Sequence, residues 1–376
     1  MTSPPRPGCC LGDDTSRRAF LVSLLGAVAT ACAGPTEDVS GRRQADLLRQ
    51  GADAIGQAPT IDLHSHPGFF SPGALPLGPL QQMQAARVDT AFFSVVGDGP
   101  IIRREANGGI RNYRAPRDTE LYQAAHAQCR RILARVAQGQ LKLVLEPSHV
   151  DEARQARVPA ALLAFEGGDA LEGQPARVRE FYDVGMRSIQ LVHYTINELG
   201  DIQTERPRHN GLTPAGQQVI VEMNRLGMIV DGAHAAPETL RGILATSRTP
   251  IIVSHTGPAA LRANARHLSD DLIKAVAEKD GVIGIWPLAL RGVSALNSLG
   301  QMLDDVDHVR RLVGIDHVGI GTDMDGMSVY TAIPTYKEFA PLPAALLARG
   351  LAESDARKLL GGNLMRVFEA ATAART

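Results

Sequence analysis

The sequence predicts an α/β fold, a (β/α)8 barrel of the TIM type with a small accessory strand element. Short β-type apolar runs alternate with amphipathic helix candidates, and the alternation continues without a break from Thr60 onward. Eight of the runs can be counted as strands, as a barrel requires. A doubly wound open sheet would alternate in the same way, but no glycine-rich nucleotide-binding motif follows the first run, which favours the barrel.

The predicted strands are nearly continuous hydrophobic runs, as expected for a parallel sheet that is buried on both faces. They lie at 61–63, 91–96, 161–165, 188–192, 228–231, 251–254, 282–285 and 318–321. Helices are predicted at 119–137, 176–184, 214–226, 237–246, 269–279, 302–313 and 353–371. A ninth apolar run at 141–145, followed by 150–156, exceeds the count for a barrel, and we interpret it as an accessory strand.

The first 32 residues are predicted to be an export signal. Ser16-Arg17-Arg18-Ala19-Phe20-Leu21 opens an uncharged apolar stretch that ends at Ala31 and is too short to span a bilayer. Paired arginines before such a stretch are typical of a twin-arginine signal, which exports folded proteins to the bacterial periplasm. Ala29-Thr30-Ala31-Cys32 is either an ordinary cleavage site or a lipoprotein signal, with a lipid anchor at Cys32. The alternative to a signal is a buried N-terminal helix.

The chain therefore divides into a signal at 1–32, a linker or N-terminal segment at 33–58 and a barrel domain at 59–372. With 44% hydrophobic and 21% charged residues it has the composition of a globular protein. A formal net charge of −1 and the lack of a basic tract give no indication of nucleic-acid binding. Cys9, Cys10 and Cys32 lie in the signal and leave Cys129 without a partner, which excludes a disulfide framework.

Metal-binding side chains follow the predicted strands, at the end where a parallel barrel has its active site. His64 and His66 close the first run, and residues two apart in a strand face the same side. Five of the eleven histidines lie at such ends, together with Glu166 and Asp323: they are His64, His66, His193, His234 and His255. Each histidine alone could be a structural residue, but the coincidence indicates a metal site.

Mixed imidazole and carboxylate ligands favour zinc or another first-row ion over calcium, which prefers oxygen ligands alone. Two zinc ions roughly 3.5–4 Å apart would polarise a carbonyl and supply a bridging hydroxide as nucleophile. Glu166 is the expected bridge between the ions. Gly167-Gly168, directly after it, indicates either a backbone that must pass close to the metals or a plain tight turn.

The chain resembles the membrane (renal) dipeptidase family of the amidohydrolase superfamily over about residues 58–370. The resemblance depends on a set of motifs in order: the strand-end His64-Ser65-His66, Phe165-Glu166-Gly167-Gly168, Leu191-Val192-His193-Tyr194, Val230-Asp231-Gly232-Ala233-His234, Ile252-Val253-Ser254-His255, Arg266-His267-Leu268-Ser269-Asp270 and His317 to Gly326. As a set these motifs are specific, whereas no single one would be.

The resemblance implies that His64 and His66 bind the first metal, that Glu166 bridges, and that His234 and His255 bind the second. The chain departs from the family at His66, because the family usually has His-x-Asp at this point. A neutral imidazole in place of a carboxylate makes the site one unit more positive, and we expect it to alter metal preference or occupancy.

The resemblance further implies that His193 stabilises the scissile carbonyl or oxyanion and that Arg266 binds the terminal carboxylate of the substrate. It also implies that Asp323 takes a proton from the water and passes it to the leaving amine. Arg266 could instead be an ordinary solvated loop residue. Asp62 and Asp325 are interpreted as structural. The segments at 68–78 and 100–117 follow the first two strands and are expected to rim the mouth and tune specificity.

We therefore predict a metallo-dipeptidase that acts on small dipeptides. Alternatives are a related amide, lactam or ester hydrolase, and a noncatalytic periplasmic accessory protein that retains the fold. The retained acid–base and bridging carboxylates favour an enzyme. A homodimer would be consistent with the resemblance, whereas a membrane contact is expected only through a lipid at Cys32.

Overall fold

The computed structural model describes residues 58–71, 73–106, 109–288, 295–326 and 331–376, together with 46, 49–51, 53 and 56. The predicted signal at 1–32, including Cys32, and most of the segment at 33–58 lie outside the described residues. No helix among the described residues is both long and apolar enough to cross a membrane.

Parallel strands form a barrel wall in sequence order. In chain order the strands are β1 (Ile61–Ser65), β2 (Thr90–Val96), β3 (Ile102–Arg104), β4 (Ile110–Asn112), β5 (Lys142–Leu143), β6 (Ala160–Glu166), β7 (Met186–Gln190), β8 (Ile229–Asp231), β9 (Ile252–Thr256), β10 (Val282–Ile285) and β11 (Val318–Ile320). Eight of them pair in the order β1-β2-β6-β7-β8-β9-β10-β11, and every pair is parallel. All eight predicted barrel strands are confirmed.

The barrel closes between its first and last strands. The backbone N–H of Asp323 donates to the carbonyl oxygen of His64 at 2.8 Å, and the N–H of His66 donates to the carbonyl oxygen of Met324 at 2.8 Å. The ninth apolar run forms β5, which pairs with Ala160 and Ala161 at the start of β6, before β7 joins the same strand at Leu163. It is an accessory strand, as predicted.

Helices surround the wall. They are α1 (Gly78–Ala86), α2 (Glu120–Ala137), α3 (Ser148–Ala156), α4 (Arg177–Val184), α5 (Pro214–Leu226), α6 (Pro237–Thr246), α7 (Asp270–Glu278), α8 (Ala295–Val313), α9 (Tyr336–Phe339), α10 (Leu342–Ala348), α11 (Glu353–Arg357) and α12 (Asn363–Ala373). Side-chain caps start α5 and α7, where the Thr213 and Ser269 hydroxyls accept from Gly216 N–H and Leu272 N–H.

Two predicted helices differ from the structure. The helix predicted at 302–313 begins earlier, at Ala295. The helix predicted at 353–371 is interrupted, because Gly361 has non-helical backbone angles within the turn Lys358–Gly362 that separates α11 from α12. A Cβ at Gly361 would lie 2.2 Å from the Pro59 carbonyl oxygen, so the chain needs glycine where this turn crosses the residues before β1.

Apolar side chains fill the barrel below the strand ends. Ile61, Phe92, Leu162 and Ile252 form one buried cluster with side chains of α12, namely Leu364, Val367 and Phe368. A larger apolar layer lies between the wall and the outer helices. The predicted site residues lie beyond this apolar filling, at the carboxyl ends of the strands.

Candidate metal centre at the strand ends

All eight residues predicted for the site lie together and are buried. Glu166 is the last residue of β6, His255 lies in β9, and Arg266 comes from the segment between β9 and α7. His64 lies in β1, and the remaining residues follow β1, β7, β8 and β11 directly: His66, His193, His234 and Asp323. Their exposed fractions run from 1% for His64 to 8% for Asp323. Arg266 is 5% exposed and is therefore not a solvated loop residue.

Glu166 is the centre of this cluster. Its Oε1 lies 3.2 Å from His64 Nε2, 3.2 Å from His193 Nε2, 3.4 Å from His234 Nε2 and 3.7 Å from His255 Nε2. Its Oε2 lies 3.2 Å from His66 Nε2. A carboxylate with nitrogen donors on both oxygens has the arrangement needed to bridge two ions.

The donor atoms form two overlapping groups that fit metal ions. One contains His64, His66, Glu166 and Asp323, and the other contains Glu166, His193 and His234. His255 extends the second group, since its Nε2 lies 3.0 Å from His234 Nε2. His64 Nε2 is buried and has no hydrogen-bond partner among the described residues. Such buried nitrogen and oxygen donors fit a first-row metal such as zinc.

Neighbouring groups hold the rings with Nε2 towards Glu166. The Nδ1 of His66 lies 2.9 Å from the carbonyl oxygen of Ser94, so this nitrogen is the donor and Nε2 remains for a ligand. The Nδ1 of His64 faces the hydroxyls of Ser94 at 3.2 Å and Ser254 at 3.4 Å. Ser254 also contacts His255 Nδ1, at 3.0 Å. Sequence reasoning missed both serines.

The charges differ across the cluster. Burial alone would raise the pKa of Glu166, but the positive charges of His193, His64 and His66 outweigh it and hold this pKa well below its ordinary value. Burial lowers the pKa of His66, yet the carboxylates of Glu166 and Asp323 outweigh that and raise this pKa to about 10. Burial and neighbouring positive groups hold the pKa values of His234 and His255 well below the ordinary value.

Arg266 lies beside the second group of donors. Its Nη2 is 3.1 Å from His255 Nε2, and its guanidinium carbon lies 5.3 Å from the centre of the Trp286 ring. Among the described residues no carboxylate forms an ion pair with it, and its buried Nε has no hydrogen-bond partner. Burial lowers the pKa of Arg266. A buried guanidinium with free donors is suited to a ligand carboxylate.

Asp98 is a functional-site residue that sequence reasoning missed. It follows β2, a barrel strand to which no site residue had been assigned, and it is fully buried. Its Oδ1 lies 2.7 Å from His193 Nδ1. The other oxygen accepts from Tyr194 N–H at 3.1 Å and from the Thr195 hydroxyl at 3.0 Å. The same rule that selected the other residues, a polar side chain directly after a barrel strand, could have found it.

Asp62 and Asp325 make structural hydrogen bonds. Asp62 accepts from Thr322 N–H at 2.9 Å and from the Tyr336 hydroxyl at 3.1 Å. Asp325 accepts from Gly68 N–H at 2.6 Å. These bonds tie the segment after β11 to the segment after β1.

The sequence matches the model of the membrane dipeptidase family, Peptidase family M19, over residues 79–376. The chain belongs to this family. The match extends from the first helix through all the later strands, and the cluster described above lies on the strand ends that it covers, apart from His64 and His66, which precede it.

The chain is similar to curated dipeptidases in sequence and to solved structures in fold. Dipeptidase aclJ of Aspergillus oryzae is 35% identical over 214 residues, which are 56% of this chain and 51% of the relative. The chain thus spans about half the length of the curated relatives it matches. An amidohydrolase from Pseudomonas aeruginosa has a TM-score of 0.70 at 21% identity, covering 86% of this chain and 99% of that one.

A second solved structure is a metallo peptidase from Rhodobacter sphaeroides, liganded with a phosphinate mimic of the dipeptide L-Ala-D-Ala. It has a TM-score of 0.68 at 21% identity and covers 84% of this chain and 99% of that one. At these identities the likeness shows the fold, and it confirms the predicted barrel.

In this membrane dipeptidase-family chain five members of the cluster line a cavity of about 810 Å³: His66, Glu166, His193, His234 and Asp323. The predicted insertion at 100–117 forms the antiparallel hairpin β3–β4, whose Ile102, Arg104 and Ile110 line the cavity. Phe70, from the insertion at 68–78, also lines it and is 62% exposed. Both insertions thus contribute side chains to the cavity wall.

The backbone beside the cluster is held in uncommon conformations. Gly167 has φ 89°, and a Cβ there would lie 2.6 Å from Asp169 Oδ2 and 3.0 Å from His193 Cβ. Asp323 and His234 have φ values of 50° and 65°. Left-handed backbone at residues other than glycine is costly and tends to occur at functional sites.

Proposed function

We propose that this protein is a zinc-dependent hydrolase that cleaves the peptide bond of small dipeptides. The observation that carries the proposal is the surrounding of Glu166, a buried carboxylate with imidazole Nε2 atoms on both oxygens and the unpaired guanidinium of Arg266 close by. Glu166, His66, His193 and His234 line a cavity of about 810 Å³, which is suited to a small ligand.

We assign the metal ligands as follows. His64, His66 and Glu166 would hold one ion, and Glu166, His234 and His255 would hold the other. Two zinc ions, when bound, supply polarisation of a carbonyl and activation of a water molecule at neutral pH. Imidazoles with low pKa values, such as His234 and His255, are already deprotonated and available as ligands.

The chain's own groups bind and orient the substrate around this centre. Arg266 pairs with the free C-terminal carboxylate of the dipeptide, because it has donors that no described residue occupies. His193 directs Nε2 to the scissile carbonyl and stabilises the negative charge that develops on its oxygen. Asp323, with Oδ1 3.4 Å from His66 Nε2, accepts the proton of the attacking water and passes it to the leaving amine.

The names of the relatives support the substrate class. The curated relatives are called dipeptidases, and the Rhodobacter sphaeroides structure was solved with a mimic of L-Ala-D-Ala. A free carboxylate close to the scissile bond is common to all dipeptides, and we assign its binding to Arg266.

We also propose, from the sequence alone, that residues 1–32 export the protein to the periplasm, that 59–372 form the barrel domain, and that Cys32 can carry a lipid. A homodimer is part of the same proposal. Protease protection in spheroplasts, labelling with a radioactive fatty acid and light scattering of the purified protein test these points separately.

The direct test combines metal content with turnover in one preparation. We expect about two zinc ions per chain by plasma emission spectrometry, hydrolysis of a panel of L,L- and L,D-dipeptides, and loss of activity on chelation that zinc restores. Full metal content with hydrolysis of amides or esters but not of dipeptides would replace the proposed substrate. One metal or none, without turnover, would favour the accessory-protein alternative.

A further inference from the structure

Asp98 and His193 form a buried pair on the wall of the cavity. We propose that Asp98 is a positioning residue that acts through His193: it accepts the hydrogen bond of Nδ1–H and so holds the ring with Nε2–H towards the substrate carbonyl. This inference depends on the function proposed above, because it assigns a partner to the group that stabilises the carbonyl oxygen.

The contacts hold the imidazole at both ends. Its Nδ1 lies 2.7 Å from Asp98 Oδ1 on the buried side, and its Nε2 lies 3.2 Å from Glu166 Oε1 on the cavity side. His193 is 5% exposed and Asp98 is fully buried, so water does not compete for the hydrogen bond. A rotation of the ring would break the contact with Asp98.

Asp98 is itself held in place. Its second oxygen accepts from Tyr194 N–H and from the Thr195 hydroxyl, and both donors directly follow His193 in the chain. The preceding residue, Gly97, donates its N–H to the carbonyl oxygen of Glu166 at 2.8 Å. The carboxylate is therefore fixed relative both to the histidine and to the strand end that carries Glu166.

Asp98 decides the orientation of the His193 ring. A carboxylate oxygen accepts hydrogen bonds, so Nδ1–H of His193 donates to Asp98, and Nε2 on the opposite side of the ring faces the carboxylate of Glu166. Both ring nitrogens therefore donate, and Nε2–H is the group that can reach a substrate oxygen in the cavity. In Asp98→Asn one oxygen becomes an NH2 group. Because Tyr194 N–H requires the remaining oxygen, the NH2 would oppose Nδ1–H, and the ring would have to turn or give up that proton.

The test is a double-mutant cycle in kcat with Asp98→Asn, His193→Ala and the double variant. We expect Asp98→Asn to keep its metal content and melting temperature but to lose about 10- to 100-fold in kcat, with KM changed less. In the His193→Ala background the same exchange should change kcat by less than about threefold, because its target is gone. Thr195→Val is the matched control, since it removes one hydrogen bond to Asp98 without touching His193, and we expect it to retain most of the activity.

A second readout needs no substrate. The Nδ1 proton in a short hydrogen bond to a carboxylate should give a far-downfield NMR resonance that is lost in both His193→Ala and Asp98→Asn. Unchanged kcat in Asp98→Asn, an equal loss in both backgrounds, loss of metal, or persistence of the resonance would each overturn the proposal. If the wild type hydrolyses no dipeptide, the proposed function fails, while the resonance still tests Asp98.

Discussion

Glu166 gives the histidines around it different proton affinities. His66 faces both Glu166 and Asp323 and has a pKa near 10, whereas His234 and His255 stay neutral because burial and nearby positive groups oppose a charge. An ion that binds at His66 must therefore displace a proton, and an ion at His234 and His255 need not. The two halves of the centre are expected to fill in a pH-dependent order.

We predict that Asp323→Asn abolishes most of the turnover and leaves the metals in place. Asn tolerates the left-handed backbone of this position, where φ is 50°, so the exchange removes the base with little distortion. We expect kcat to fall by about 10²- to 10⁴-fold, with metal content unchanged. Loss of metal together with activity would instead make Asp323 a ligand, as its place in the four-residue donor group allows.

We predict that Arg266→Met lowers kcat/KM for the hydrolysis of dipeptides but not for that of dipeptide C-terminal amides. The guanidinium is buried and pairs with no described carboxylate. The substitution should therefore remove the binding partner of the substrate carboxylate. We expect kcat/KM for a dipeptide to fall by about 10- to 100-fold, since a charge-assisted hydrogen bond contributes about 1.5–3 kcal/mol. Steady-state kinetics on matched acid and amide substrates checks this, and an equal loss on both would contradict it.

We predict that Asp89→Asn stabilises the protein at neutral pH. Burial raises the pKa of Asp89 from 3.8 to about 6, although the carboxylate accepts from Thr60 N–H at 2.9 Å. The folded protein thus keeps this proton to higher pH than the unfolded chain does, and the free energy of unfolding falls by up to about 3 kcal/mol as pH rises from about 4 to above 6. The Asn variant keeps an acceptor and avoids this loss.

Urea unfolding of the wild type and Asp89→Asn at about pH 4.5 and pH 7.5 measures the difference. The variant should be the more stable protein at pH 7.5, and the gap should shrink by about 2 kcal/mol at pH 4.5. Parallel pH dependence of the two proteins would show that Asp89 titrates normally.

At the scale of elements, hydrophobic patterning predicted the strands and failed for short polar pieces. The barrel strands are buried on both faces, and most of them contain an apolar run that stands out in the sequence. The hairpin β3–β4 and helix α1 are short and partly exposed, and they mix polar and apolar residues. No hydrophobic periodicity in the sequence therefore identifies them. The interruption at Gly361 arises from contact with Pro59, a tertiary cause that local sequence does not contain.

We predict that Gly326→Ala disables the turn that follows β11. A Cβ at this position would lie 2.1 Å from Asp323 Oδ1 and 2.6 Å from His66 Cδ2, so the side chains of the centre must move. We expect kcat to fall at least tenfold. Gly300→Ala in α8 is the control, since its Cβ meets nothing within 4 Å and alanine favours a helix, so activity should be retained. Equal activities of the two variants would contradict the packing argument.

At the scale of the whole molecule, the sequence predicted which residues converge but not how they are held. The barrel topology brings strand ends together, so membership of the cluster follows from the position of each residue after its strand. The contacts by which Ser94, Ser254 and Asp98 hold the histidine rings depend on side-chain directions and on neighbours distant in sequence. The distances between these residues are fixed only when the barrel has closed.

We predict that zinc raises the melting temperature and that the shift is larger at pH 8 than at pH 6. The assigned ligands come from four strands and meet only in the folded barrel, so zinc binds the folded state and stabilises it by mass action. The proton on His66, whose pKa is about 10, competes more strongly at low pH. Scanning calorimetry with zinc and, as a control, calcium checks this, and equal shifts for both metals would argue against an imidazole site.

The hydrogen bond between Asp323 N–H and the His64 carbonyl oxygen joins a residue made early in translation to one made near its end. A nascent chain presents His64, His66 and Glu166 long before Asp323 has left the ribosome. Such a chain lacks the strand that closes the barrel and, under the proposed mechanism, the group that moves the proton. The order of synthesis therefore delays hydrolysis until the final strand docks, and we expect a chain that stalls before β11 to be inactive.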